Sequence, residues 1–579
     1  MTTIKQMLAI FNKKQKMRLV GITIIIFFGG IAELLGVSSI MPFINMILVP
    51  DEMMSNKYVV MFCNIFNVND FNTVMVALTL GIILLYIAKN VYMVFMNYLQ
   101  YHFTYFGLRD LSCRLMNSYM AQSYPFHVEH NSAELIRNVN TDTNMFYSTV
   151  LNFLQLISEG VVCVLLVGYL MYEDAVIALV VAGSMGVFVF GFMRMFRREF
   201  KKMGAEYRIY NEQQLRCMNQ SFGGIKEIKI AEKEGFFEKN YHKISTDLAR
   251  NQVRNGLFNA MPKPVMEVLC IGSILAIVAV KVMSNSADTA HFISVLAVFA
   301  VAAFRLLPSI NKVSGHIGVI IYDKAAVEAV YNQLNAIKDV KVEQKADEAS
   351  KFAFEKEIKM DNVTFRYDGG EKDVLNNVTL EVPKNKSVAF IGPSGAGKTT
   401  TVDIILGVLS PNKGKILVDG IDVSEHMHAW HDKIGYIPQT IYLMDDTIRN
   451  NIAFGVNPED INDEDVWKAL EEAQLKDFVE KMENGLDTVI GELGVRLSGG
   501  QRQRIGIARA LYRKPEVLVL DEATSALDSE TEKAVMEAID ELQGKMTLLI
   551  IAHRLTTIKN CDIVYEIKDA SVTKTEKNK

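Results

Sequence analysis

The sequence predicts a multidomain chain in which an all-α transmembrane domain of six helices is followed by an α/β domain. Three observations predict it. Apolar runs long enough to cross a bilayer, roughly 20 residues each, recur as far as residue 313 and then stop. From Lys338 to Lys359 the composition turns charged, as a solvated linker does. Beyond it, aliphatic runs such as Ser387 to Ile391 and Val517 to Leu520 alternate with helical patterns such as Thr399 to Leu409 and Thr531 to Leu542, the signature of parallel α/β architecture. The boundaries are 1–337 for the membrane domain, 338–357 for the linker and 358–579 for the α/β domain.

Composition narrows the classes. At 579 residues the chain is too long for one core. Half of it is apolar, 22% is charged and mean hydropathy is +0.15, a balance unlike a soluble enzyme and hostile to global disorder. With 61 basic against 66 acidic residues the net charge is −5, so nucleic acid is not an expected partner. Six cysteines lie scattered without a CxxC pair, which suggests neither a disulfide framework nor a zinc site.

The spans fall at about 19–47, 74–97, 149–172, 175–196, 257–283 and 290–313. The first follows Lys13, Lys14, Lys16 and Arg18 and outruns the 7–15 residue core of a signal peptide, so it reads as a retained anchor. From 194 to 256 the chain holds 14 Lys or Arg, whereas Pro50 to Asn72 holds only Lys57 beside three acids. Basic residues resist translocation, so the long connections and both termini are expected in the cytoplasm. Connections of that length, 98–148 and 197–256, are too long to be structureless; helices should continue below the bilayer, with short crossing elements near Tyr124 to His130 and Gly223 to Ile230. Asp569 to Lys579 is a polar tail expected to fray.

The α/β domain carries the chemistry. Gly392-Pro-Ser394-Gly395-Ala-Gly397-Lys398-Thr399, with Thr400 following, fits the phosphate loop GxxxxGK[ST] between a strand and a helix, which makes this an α/β P-loop nucleotide-binding domain. The glycines let backbone N–H groups turn onto phosphate oxygens, Lys398 supplies charge for the β and γ phosphates, and the Thr399 hydroxyl can hold Mg²⁺. Val517 to Glu522 is an apolar strand ending in two carboxylates: Asp521 sits where Mg²⁺ is expected, and Glu522 is the candidate to polarise water. Between them, Leu497-Ser498-Gly499-Gly500-Gln501 opens a helix whose N-terminus is anion-seeking, a second phosphate-binding surface. His426, His428 and His431 share no single helical face and gain no acid or thiol, so no metal is expected beyond Mg²⁺ with ATP.

These motifs, in this order, resemble the ATP-binding cassette (ABC) transporters of exporter type, over essentially the whole chain. The resemblance implies further roles: Gln439 as the Q-loop residue and a Mg²⁺ contact, Asp528 as the D-loop carboxylate, His553 as the switch histidine, Tyr367 as the aromatic that stacks on adenine, and Thr488 to Gly494 as the loop that touches the membrane domain. It also implies that ATP lies between the phosphate loop of one cassette and the LSGGQ of another. One chain has one cassette and six spans, so the expected assembly is a homodimer, with Glu522, His553 and Gln439 serving hydrolysis.

Ionisable groups inside spans are costly and mark function. Glu33, Lys89, Glu267, Arg305 and Lys312 are such groups. Arg305 and Lys312, seven apart, share a helical face and with Lys89 could line a basic cavity suited to pyrophosphate; alternatively Arg305 pairs with Glu33 or Glu267 and the lysines reach the headgroups. The stretches 31–44, Gly224 to Lys229 and Phe304 to Lys312 resemble bacterial lipid-linked oligosaccharide flippases, which move a polyprenyl pyrophosphate glycan outward across the cytoplasmic membrane. Lys312 stands where Arg is expected, which weakens bidentate capture but not charge attraction. A multidrug or lipid exporter is the alternative.

Overall fold

The computed structural model describes residues 3–48, 50–66, 70–283, 289–337, 352–521, 529–552, 558 and 560–575. The chain divides into a helical unit, Met1–Gln122 with Phe126–Lys341, and a mixed unit, Val342–Lys579 with Ser123–Pro125.

The helical unit opens with α1 (Thr3–Ile10) and α2 (Lys13–Ser38). Asn12 and Gln15 start α2 with a reciprocal capping box, each side chain accepting from the other's backbone N–H. The expected first span is interrupted at Ser39, because Pro42 in the first turn of α3 (Ile40–Leu48) has no N–H to continue the ladder. Two short helices, α4 (Pro50–Met54) and α5 (Lys57–Phe66), lead to α6 (Phe71–Met120). The 50 residues of α6 extend roughly 75 Å, more than twice the ~30 Å hydrocarbon core, so the helix leaves the bilayer as the sequence predicts.

The two expected crossing elements are present as α7 (Tyr124–Glu129), followed by α8 (Ser132–Arg137), and as α11 (Ile225–Ala231). Between α8 and α9 (Thr143–Glu173) runs a π-turn, Asn138–Asp142. Its Asp142, 1% exposed, accepts both arms of Arg208 at 2.8 Å and so ties α9 to α10 (Ala175–Gly223). Next come α12 (Glu234–Ala260), α13 (Pro262–Met283), α14 (Thr289–Tyr322) and α15 (Lys324–Ala336). Among the described residues, four helices are long and apolar enough to cross a membrane, Lys13–Ile47, Phe71–Met120, Ser132–Glu173 and Ala175–Gly223. The expected fifth and sixth spans fall on α13 and α14.

Helix α9 is the spine. Its Val150, Leu154, Ser158, Val162, Leu166 and Leu170 recur every fourth residue and are all buried, so one stripe is covered along most of its length. Closeness is extreme where α10 meets the end of α14: a Cβ on Gly204 would overlap the Tyr322 carbonyl oxygen, so only glycine fits.

The mixed unit holds two sheets. The first is antiparallel, with β1 (Glu357–Phe365), β2 (Leu375–Pro383), β4 (Lys413–Val418) and β5 (Ile421–Asp422) in the order 2-1-4-5, an element the parallel reading of the sequence did not anticipate. The second contains β3 (Ser387–Ile391), β6 (Ile434–Ile437), β7 (Val517–Asp521), β8 (Thr547–Ile551), β9 (Ile563–Lys568) and β10 (Ser571–Thr575) in the order 10-9-3-8-7-6. It is parallel except for β10. Its parallel strands β7 and β8 are buried at every position, as helices on both faces require.

Helices α16 (Lys398–Ile405), α17 (Met427–His431) and α22 (Ser529–Asp540) accompany the sheets. A helical group, α18 (Ile448–Ile452), α19 (Asp463–Glu472), α20 (Lys476–Glu480) and α21 (Gly499–Tyr512), packs Ile452, Val466, Leu470, Val479 and Ile505 into one cluster. Two expectations are corrected. Phe352 and Phe354, assigned by composition to the linker, are buried in the core with Trp430; residues 338–351 of that linker lie outside the described residues. The tail does not fray through Thr575: Asp569 and Ala570, both at positive φ, make a tight turn that returns β10 onto β9, while 576–579 lie outside the described residues.

Candidate functional site

The phosphate loop grows out of β3, which is buried from Ser387 to Phe390 and releases the chain at Gly392. Gly392 has φ +147° and a Cβ on it would overlap the Ile567 carbonyl oxygen; Gly395 and Gly397 have φ +78° and +102°. Three positive φ values in six residues explain why the loop needs glycine. Lys398, 5% exposed, donates from Nζ to the carbonyls of Gly392 (2.9 Å) and Pro393 (3.1 Å), so its charge is held across the loop mouth. Thr401 Oγ1 donates to Gly397 O at 2.8 Å and locks the first turn of α16. Ser394, Gly395 and Thr399 are exposed, whereas Thr400 is buried and its hydroxyl lies 3.0 Å from the Tyr367 hydroxyl. Tyr367 thus stands at the loop, with its ring edge-on to Phe365 and 47% exposed.

Sheet register sets the other half. Phe390 of β3 and Asp521 of β7 both pair with Ile551 of β8. At ~4.8 Å per strand spacing, the start of the phosphate loop and the Asp521 backbone are roughly 10 Å apart, separated by one strand end. Ligands bind at such carboxyl ends in parallel α/β sheets. Asp521 is 9% exposed, and the Tyr436 hydroxyl lies 3.5 Å from its Oδ2. Thr399, Asp521 and the exposed Gln439 beyond β6 offer oxygen ligands, the donor type that suits Mg²⁺. Glu522, Asp528 and His553, expected at this site, lie outside the described residues.

The LSGGQ turn is an intact helix start. Ser498 caps α21: its Oγ accepts from Gln501 N at 3.3 Å, and Gln501 Oε1 accepts from Ser498 N at 2.8 Å. Ser498 and Gly499 are exposed, Gly500 is buried and Gln501 partly so.

Sequence reasoning missed two residues. Asp403 on α16 is pushed up to about 6, by burial first and by the charge of Asp521 second, so it stands behind the loop close to the second carboxylate. The signal was an acid inside the otherwise uncharged stretch Thr399 to Leu409. Arg509 on α21 donates to Asn451 O (2.8 Å) and Tyr442 O (2.8 Å) and lies over the Phe454 ring at 4.6 Å. It joins the LSGGQ helix to the segment that follows Gln439. Nothing in its sequence neighbourhood points to those partners.

In the helical unit, three of the five ionisable span residues meet. Glu33 of α2, 4% exposed, accepts from Lys89 Nζ of α6 at Oε2 (3.0 Å) and from Arg305 Nη2 of α14 at Oε1 (2.8 Å). Lys89 also lies over the Tyr86 ring at 4.7 Å. Lys312 stands apart and donates to Glu159 Oε1 at 2.7 Å. Of the two acids that could pair with Arg305, Glu33 does so; Glu267 on α13 forms no ion pair among the described residues. These groups are therefore three cations paired with two carboxylates, not an uncompensated basic set. Arg305 Nε is buried and has no hydrogen-bond partner among the described residues, so within them its guanidinium keeps an unused donor.

Comparison with known proteins agrees with this geometry. Residues 19–306 match the family model described as "ABC transporter transmembrane region", and residues 375–525 match the one described as "ABC transporter". The ATP-dependent lipid A-core flippase of Escherichia coli (strain K12) is 30% identical over 468 residues, covering 79% of this chain and 78% of that protein. The flippase of the same name from Pasteurella multocida (strain Pm70) is 29% identical over 464 residues, with 79% and 78% covered. The solved structure of a bacterial Atm1-family ABC exporter with ATP bound superposes with TM-score 0.74 at 20% identity, over 97% of this chain and 95% of that one.

Proposed function

The chain belongs to the ABC transporter family, and from that premise we propose that it flips a lipid-linked oligosaccharide, a polyprenyl pyrophosphate glycan, outward across the cytoplasmic membrane. It is an ABC half-transporter of exporter architecture, a multi-pass membrane protein whose ATPase is coupled to transport. One cassette per chain carries one phosphate loop and one LSGGQ, so a complete nucleotide sandwich needs a second copy; we take the partner to be identical. Both termini are assigned to the cytoplasm from the Lys and Arg excess of the long connections.

In this reading the loop amides, Lys398 and Thr400 hold the phosphates of ATP, Tyr367 stacks on the base, and the Ser498–Gln501 turn of the other copy closes over the γ phosphate. Thr399, Gln439 and Asp521 would hold Mg²⁺, which supplies charge to the β and γ phosphates. Glu522 orients and deprotonates water, His553 senses the γ phosphate, and Asp528 bridges the two cassettes. Closure draws the helical extensions together and turns the cavity outward.

The observation that carries the cargo class is the unused Arg305 donor beside a shared carboxylate inside the membrane domain. A buried donor there is costly unless an anion completes it, and a pyrophosphate accepts an Arg fork. Names of the relatives favour a second reading, a phosphorylated glycolipid on acyl rather than polyprenyl chains. Vesicles holding the pure protein, ATP and a labelled polyprenyl pyrophosphate oligosaccharide decide between them, with a lipid A-type glycolipid in a parallel arm. Flipping of the first and not the second supports the proposal. Arg305→Ala should lower flipping about tenfold or more while Arg305→Lys retains part of it; unchanged flipping in Arg305→Ala overturns the role of this side chain.

A further inference from the structure

We infer that the seam between α9 and α14 carries a carbohydrate subsite, formed by Glu159 with Lys312 and by Asn152 with His316, which holds the sugars nearest the pyrophosphate. The subsite presupposes the flippase reading above and takes the part of the headgroup that follows the phosphates. Asn152 meets His316 and Glu159 meets Lys312, so residue numbers rise along α9 as they fall along α14, and the two helices run antiparallel. Arg305, Lys312 and His316 are spaced by seven and four on α14 and share its face. Their contacts form three rungs, separated by roughly 10 Å and 6 Å along the helix axis at ~1.5 Å per residue. The sixth span is expected to end at 313, so Arg305 lies within the hydrocarbon, Lys312 at its edge and His316 on its cytoplasmic side.

Charge differs from rung to rung. At the top, Lys89 and Arg305 face the single carboxylate of Glu33, an excess that suits an anion. In the middle, Lys312 Nζ lies 2.7 Å from Glu159 Oε1, one charge against one, so a further anion gains little there. At the bottom, His316 Nδ1 and Asn152 Oδ1 are 2.7 Å apart. Asn152 Nδ2 donates to Ser148 O at 2.8 Å, which fixes the amide; its oxygen can only accept, so His316 donates from Nδ1. Both lower rungs keep spare capacity of mixed kind. Glu159 Oε2 is buried and has no hydrogen-bond partner among the described residues, while the half-exposed Lys312 has ammonium protons left over. His316 Nε2 likewise forms no hydrogen bond among the described residues. Acceptors and donors side by side on neutral pairs suit sugar hydroxyls, each of which both donates and accepts, whereas the oxygens of an ionised phosphate only accept. The ladder therefore orders the headgroup, with phosphates at Arg305 and sugars toward the cytoplasm.

The test compares ATP-driven flipping, by the full-length protein in vesicles, of three lipids on the same polyprenyl chain: the bare pyrophosphate, the pyrophosphate monosaccharide and the pyrophosphate oligosaccharide. The wild type should show a KM about tenfold lower for the two sugar-bearing lipids than for the bare one. Glu159→Ala and His316→Phe should each raise the KM of the sugar-bearing lipids about fivefold and leave that of the bare lipid in place, whereas Arg305→Ala should weaken all three alike. Should the variants fold poorly, the unaltered protein is crosslinked through a diazirine on the first sugar, and peptides containing Glu159 or His316 are expected. Equal KM for the three lipids in the wild type, an equal loss for all three in Glu159→Ala and His316→Phe, or crosslinks confined to other segments overturns the subsite and leaves the flippase reading standing. Flipping of none of the three by the wild type overturns the flippase reading itself, and the subsite with it.

Discussion

Glu33 is the single carboxylate on which two cations from other helices depend, and its removal should cost more than the removal of either. Glu33→Gln keeps the shape but leaves Lys89 and Arg305 facing a neutral amide. Lys89 is 11% exposed and Arg305 27%, so neither can be fully hydrated in place. Stranding charge in such a setting costs about 3 kcal/mol. Lys89→Met or Arg305→Gln removes one charge-assisted bond, at 3.0 or 2.8 Å, but leaves Glu33 with the other cation, so each should cost only about 1 kcal/mol. In the triple variant Glu33→Gln/Lys89→Met/Arg305→Gln nothing ionised remains, and the loss should fall back to about 1 kcal/mol or less. Equilibrium unfolding in mixed detergent and SDS micelles, read by helical signal across all combinations, measures the coupling directly. The reasoning is refuted if Glu33→Gln costs no more than Lys89→Met, or if the three single losses simply add.

Three further outcomes are expected. Glu522→Gln should lower ATP turnover by about 10²- to 10⁴-fold with nucleotide binding retained; full turnover in that variant removes Glu522 from the hydrolytic role. Asp403 has its ordinary pKa of 3.8 raised to about 6, so the folded chain binds its proton more tightly; its contribution is complete below pH 4 and lost as pH climbs through 6. Asp403→Asn should therefore be more stable than the parent at pH 8, by about 1 kcal/mol after screening of a partly exposed group, with the advantage shrinking toward pH 4; a pH-independent difference in thermal midpoint contradicts this. Gly204→Ala places a Cβ onto the Tyr322 carbonyl, which belongs to backbone and cannot rotate away, and should destabilise the membrane unit by about 1–3 kcal/mol, seen as a lower unfolding midpoint; no change would mean that α10 and α14 separate freely.

Much of this protein was legible before any coordinate. The spans follow from apolar runs because lipid demands a long self-satisfied helix, and the overlong α6 and α10 from connections too rich in helix formers to be loops. The phosphate loop and the LSGGQ cap are equally local: each needs particular residues at fixed spacing because backbone N–H groups a few residues apart form the site. The antiparallel sheet was not legible, since the pairing that joins its two hairpins, β1 with β4 (Ile358 opposite Val418), links strands separated by the phosphate loop and its helix. Nor was the return of β10, whose turn at Asp569 and Ala570 lacks glycine.

By itself, the sequence determined which groups are present and what class of chemistry they permit: a P-loop ATPase coupled to a helical membrane domain with charges in its spans. Only tertiary structure decided how those charges are spent. Arg305 chose Glu33, 272 positions away, over Glu267 on the neighbouring helix, and Glu33 was shared with Lys89. Burial, and after it the nearby charge of Asp521, raised the Asp403 carboxyl to about 6. Spacing along a chain fixes what one helix or loop can do, but compensation between charges depends on distance through space, which falls to contact range only when helices from opposite ends of the domain pack side by side.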